Sequence, residues 1–178
     1  MAAVTPLLMF FQDYHYDCKV TVNIQINQQL YASYMYLCMA VHCTRFDVAL
    51  KGFSRYFLRR SHQWSALAEK LMSMHIDRGG FVAFSHIRSP FVDDWDGGLH
   101  IMEYALGLEK SLNKCLLELH HLAKNKEDIT LCNFLKCHYL GPQVHVLKEI
   151  SEHLTNIRKL GTLGEDVADY IFDNCSLK

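Results

Sequence analysis

The sequence predicts an all-α protein: a four-helix bundle with one long crossover and a short fifth C-terminal helix. Three observations predict it. Four long stretches carry apolar residues at helical spacing, each about 27 residues and so about 40 Å long. A single long irregular segment separates the second from the third, which suits two helical hairpins joined end to end. Gly161 and Gly164 then cut off one short terminal helix.

The first helix is expected from about Tyr16 to Cys43, with Leu30, Tyr34, Leu37 and Val41 as its buried stripe at spacings of four, three and four. The second runs from about Val48 to Ile76, with Phe53, Phe57, Trp64, Leu67, Leu71 and Met74 on one face and Arg78-Gly79-Gly80 as a glycine stop. The irregular segment covers roughly Gly80 to Gly98 and holds Pro90, Asp93, Asp94 and Trp95. The third helix spans about Leu99 to Lys126, with Ala105, Leu108, Leu112, Leu116 and Leu119 inside. The fourth spans about Ile129 to Leu160 on the stripe Leu147, Ile150, Leu154 and Ile157. Gly141-Pro142 must kink or interrupt it, because proline lacks the backbone donor and crowds the preceding turn. The last helix covers Glu165 to Asn174.

The chain has 178 residues, 50% apolar and 21% charged, with three prolines, which fits one globular domain. Residues 1–14 read as a tail and 15–178 as the domain. The net charge of −1 gives no overall pull toward nucleic acid. Eleven histidines raise a metal hypothesis that only spacing can test. The seven cysteines (Cys18, Cys38, Cys43, Cys115, Cys132, Cys137 and Cys175) are odd in number and form no CxxC, so they read as reduced thiols of an intracellular protein. The apolar run Leu7–Phe11 lacks a basic leader and is too short for a signal peptide or a membrane span, and no later segment is expected to cross a membrane.

Local sequences carry a resemblance: LYASYMYL at 30–37, DVALKGF at 47–53, AEKLM at 68–72, RGG at 78–80, DDW at 93–95, LEK at 108–110, LLELH at 116–120, HYL at 138–140 and LTNIRKLG at 154–161. From about residue 14 to 173 the chain resembles the ferritin heavy chain family, as a paralogue rather than the heavy chain itself. The resemblance implies a ferritin-like bundle, a hollow shell of about 24 subunits, cytosolic iron storage with nuclear entry left open, and an Fe(II)-oxidising site inside each heavy-chain bundle.

Against that pattern the site is depleted. Two hard cations need several anionic oxygen ligands. The glutamate of the family's first helix is replaced here by Gln29, and its Glu-x-x-His on the second helix by Trp64 and Leu67, with Gln63 in place of the acidic neighbour. Tyr36, Glu109 and Gln143 still match. One carboxylate cannot hold two iron ions, so Glu109, Tyr36 and Gln143 are expected to persist as a hydrogen-bonded polar remnant. The alternative is a weak iron site at Glu109. A lone Glu118-x-x-His121 reads as a solvated face.

The family's light chains instead keep an acidic patch on the second helix that gathers iron inside the shell. The matching stretch is Arg59, Arg60, His62, Gln63 and Ala66, with only Glu69 acidic; alternatively the arginines face outward and form salt bridges. At the threefold entry the resemblance keeps His120 and Cys132 but sets Asn133 and Lys136 where acids belong. A ring of lysines would repel Fe(II), unless Lys136 swings to the rim. Ile171 and Cys175 would line a narrow fourfold channel.

The expected function is therefore a shell subunit without ferroxidase activity and requiring no cofactor. It would form an inert cage or co-assemble with active ferritin heavy and light chains; the alternative is storage with weak residual iron binding. Nucleic acid and membranes are not expected partners. A third reading assigns the apolar tail or the arginines to a protein partner or an anion.

Overall fold

In the computed structural model, residues 14–88, 95–161 and 164–177 are described. Three long helices, α1 (Tyr16–Thr44), α2 (Lys51–Asp77) and α3 (Gly97–Asn125), pack with a composite fourth rod. That rod is α4 (Ile129–Leu135), one π-helical turn (Lys136–Leu140) and α5 (Gly141–Leu160). The short α6 (Glu165–Cys175) closes one end of the bundle. Among the described residues no helix is long and apolar enough to cross a membrane. The expected tail and Asp93–Asp94 lie outside the described residues, apart from Tyr14, which is buried in the packed body.

The expected interruption at Gly141-Pro142 takes the form of the π turn. Pro142 has no N–H to give, and the widened turn routes the Gly141 N–H back to Lys136 O. The rod continues into α5, with Gln143 buried. Gly79, at φ 71°, ends α2 as expected, because a left-handed residue there carries no Cβ penalty.

The inward face of α1 is not the one expected. Tyr34, Leu37 and Val41 are 39, 42 and 59% exposed, and Leu30 is only half-buried. The core side carries Cys18, Val22, Ile26, Ala32, Met35 and Met39 together with Gln25, Gln29 and Tyr36. The helix is apolar on two faces, and the glutamines on its buried face made the outer stripe look like the better core.

Two remote aspartates supply helix caps that local sequence does not. Neither Leu50 before α2 nor Asp96 before α3 makes a side-chain cap. Instead Asp173 accepts from Phe53 N at 2.8 Å, and Asp169 accepts from Gly98 N at 2.5 Å, so α6 satisfies the starts of two other helices. The backbone of α6 comes so near that a Cβ on Gly52 would sit 2.3 Å from Asp173 O. Asp173→Ala should therefore lower stability by about 1 kcal/mol, read as a lower denaturation midpoint. An unchanged midpoint would show the contact to be incidental.

The chain leaving α2 is held by α1. Asn23 donates to Phe81 O (2.9 Å) and accepts from Ala83 N (2.8 Å); Asn27 donates to Ala83 O (3.0 Å) and accepts from Ser85 N (2.8 Å). His75 sits beneath this seam. Its Nδ1 is 2.7 Å from the Tyr14 hydroxyl and its Nε2 3.2 Å from Phe81 O, an arrangement that suits the neutral ring. Burial lowers the His75 pKa, and Lys19 and Arg78 add to this against the pull of the Phe81 carbonyl. The unfolded chain thus binds a proton that the folded chain refuses. This stabilisation is present above about pH 6.5 and is lost as pH falls through the lower folded value. His75→Gln should flatten the acid side of the stability profile between about pH 7 and 5; parallel profiles for the two proteins would contradict it.

Candidate functional site

Each of the four rods sends side chains to one point at the bundle's centre: Tyr36 from α1, Arg60 and Trp64 from α2, Glu109 from α3 and Gln143 from α5. Helical spacing explains the set on α2, since Arg60 lies three residues after buried Phe57 and four before buried Trp64. Glu109 is 0% exposed. Its Oε1 accepts from the Tyr36 hydroxyl (2.7 Å), Arg60 Nη2 (2.5 Å) and Trp64 Nε1 (3.0 Å), and its Oε2 accepts from Gln143 Nε2 (2.5 Å).

Four donors surround the carboxylate, three on Oε1 and one on Oε2. The charge is matched as well. Arg60, 8% exposed, forms a salt bridge with Glu109 and lies 5.7 Å from the centroid of the Tyr36 ring. Burial alone would lower the Arg60 pKa, but the adjacent Glu109 carboxylate, with Tyr36 and Tyr56, more than reverses this and holds the guanidinium charged. Burial, and then the Glu109 charge, hold the Tyr36 hydroxyl well above its ordinary pKa, so it remains a donor.

This constellation does not fit a di-iron centre. The one carboxylate is already neutralised, and the groups around it present N–H and O–H bonds where a cation needs lone pairs. Gln29 is buried beside the core, and both of its amide atoms lack a protein partner. Leu67 is half-buried, and its carbonyl accepts from the Tyr139 hydroxyl at 2.7 Å. Among the described residues, no three histidine, cysteine, aspartate or glutamate side chains converge to hold a metal ion.

The polar remnant expected from Tyr36, Glu109 and Gln143 is assembled as a single cluster. What sequence reasoning missed is its cation. Arg60, expected in the basic stretch with Arg59 and His62, is buried; Arg59, His62, Gln63, Ala66 and Glu69 are exposed. The signal was available in the four-residue step from Arg60 to Trp64.

The other expected site residues lie apart from this centre. Cys132 is 3.9 Å from His120 O, with Asn133 and Lys136 exposed nearby on the same rod. Burial and then the Lys136 charge lower the His120 pKa. Burial and Asp128 raise that of the Cys132 thiol, with Lys136 opposing. On α6, Ile171 is half-buried and Cys175 is exposed. Glu118 and His121 are both exposed, and Glu118 pairs with Lys114 at 3.9 Å. A family model for a ferritin-like domain matches residues 21–160.

Proposed function

The chain belongs to the ferritin-like domain family, and from that premise we propose that it is a cage-forming subunit whose bundle no longer oxidises Fe(II). The observation that carries this reading is the Arg60–Glu109 ion pair at the bundle's centre. A fixed organic cation takes the place of a metal cation as the partner of the one remaining carboxylate. The substitutions at Gln29, Trp64 and Leu67 remove the other ligands of the family pattern. No cofactor is required for such a role, and the Arg60 charge beside Glu109 opposes weak retention of a cation there.

A second observation supports assembly. Val20 and Ile24 are exposed on α1, and with Tyr31, Ala83 and Ile87 they form the apolar part of a groove of about 630 Å³ that Asn23, Asn27 and Gln28 also line. Contiguous apolar surface of this kind marks a contact face. The cage is built from this chain alone or mixed with active ferritin chains, whose iron oxidation it then dilutes. Particle mass tests the reading: a species of about 24 subunits at micromolar protein is expected. A population of monomers and dimers alone would contradict it.

A further inference from the structure

The segment that leaves α2 is tied to α1 by an asparagine ladder. Asn23 takes Phe81 O and Ala83 N, and Asn27, one helical turn on, takes Ala83 O and Ser85 N. The apolar side chains of this strap add little to the hold. Phe81 and Phe84 are 84 and 71% exposed, and Val82 is half-buried. Residues 80–85 carry no titratable group of their own.

His75 stands at the root of the strap. Its ring is fully buried, and a Cβ on Gly80 would collide with three of its atoms, so the start of the strap lies directly against the imidazole. With the proton on Nε2, the ring donates to Phe81 O and accepts the Tyr14 hydroxyl at Nδ1. Asn23 Nδ2 then divides its two N–H bonds between Phe81 O and Lys19 O. Ring, hydroxyl and amide are all paired while the ring is neutral.

A second ring proton breaks this arrangement. On Nδ1 it would face the Tyr14 hydroxyl, which loses its acceptor. The charged groups acting on the ring are Lys19 from α1 and Arg78 from the end of α2, both cations. Two carboxylates lie in this neighbourhood, and each is paired. Arg78 Nη1 donates to both oxygens of Asp128, just before α4, and Asp17 on α1 pairs with Lys126. Tyr14 stands edge-on to the ring and belongs to the packed core, whereas the strap is held mainly by side-chain hydrogen bonds. The strap is therefore the part that yields when the ring needs water.

We propose that His75 is an acid-operated latch: when its ring takes the second proton, residues 81–85 detach from α1 and bare the Asn23–Asn27 ladder with the apolar flank of Val20 and Ile24 beside it. The strap is closed at neutral pH and opens as pH falls. Burial, with Lys19 and Arg78 and against the Phe81 carbonyl, sets the opening below the ordinary histidine value of about 6.5. The latch lies within one subunit, so it rests neither on the cage nor on the loss of iron oxidation.

Hydrogen–deuterium exchange on the full chain tests this, with rates corrected for the intrinsic pH dependence of amide exchange and particle mass recorded at each pH. The Ala83 and Ser85 amides, which donate to the ladder, are the reporters. Between about pH 7.5 and 5, protection of peptides covering 81–88 should fall at least tenfold, while that of α3 peptides changes less than twofold. His75→Gln keeps a donor for Phe81 O and an acceptor for Tyr14 but takes no proton, so its strap should stay protected at both pH values. If that variant does not fold, His75→Leu takes its place, and strap protection should be independent of pH. Asn23→Ala removes half the ladder and should show at neutral pH the low protection that the wild type reaches only in acid. The proposal is overturned if wild-type strap protection is the same at both pH values or falls together with that of α3. It is also overturned if the unprotonatable variant loses protection in acid as the wild type does, or if Asn23→Ala leaves the strap protected at neutral pH.

Discussion

Arg60→Met should lower the stability of the folded chain by about 3–5 kcal/mol, the cost of leaving a buried charge without its partner. Glu109 is fully buried, and neither Tyr36, Trp64 nor Gln143 carries a positive charge to replace the guanidinium. The same loss should not follow when both charges go. Arg60→Met with Glu109→Gln removes the ion pair as a unit and should recover most of the stability, because a buried ion pair contributes little beyond its neutral replacement. Thermal unfolding measures both, and for a chain of this size the single variant should melt roughly 10 °C lower. A single variant within 1 °C of the parent would show that Glu109 finds water or a proton instead of needing Arg60.

Restoring iron oxidation should require four substitutions, not three. Sequence comparison alone nominates Gln29→Glu, Trp64→Glu and Leu67→His, which rebuild the ligands of the family pattern. In the fold the guanidinium of Arg60 would remain beside those ligands, hydrogen-bonded to Glu109. A unit charge and a divalent ion about 5 Å apart at an effective dielectric of 20 repel by roughly 6 kcal/mol, and even a severalfold reduction by relaxation leaves a tenfold effect on occupancy. The triple variant should therefore oxidise Fe(II) only marginally. Adding Arg60→Gln should raise the initial rate at least tenfold, because ligands that act as a unit fail as a unit. Equal rates for the triple and quadruple variants would make Arg60 a bystander.

The fold was largely legible because long periodic helices, a glycine stop at Gly79 and a proline inside the fourth rod are local signals. The face of α1 was not, because that helix has apolar residues on two sides and glutamines on the buried one. The caps from Asp169 and Asp173 lie far along the chain from the helices they serve, and nothing at residues 50 or 96 announces them. In the site, the resemblance singled out Gln29, Trp64 and Leu67 as departures from the family pattern and Tyr36, Glu109 and Gln143 as matches, and the last three meet in one cluster. Arg60 could not be found by subtraction, since it is an addition. An arginine beside a second arginine resembles a solvated run, and only its register with Phe57 and Trp64 distinguishes the buried one.

Fe(II) oxidation in air by the purified wild-type protein tests whether the Arg60 cation stands where the family pattern would place a metal ion. Absorbance of the ferric product, followed from the first milliseconds after mixing, should rise no faster than in protein-free buffer at any ratio of iron to protein. A fast phase that saturates near two irons per subunit would contradict the account, because it would require an oxidation site where Arg60 and Glu109 are paired.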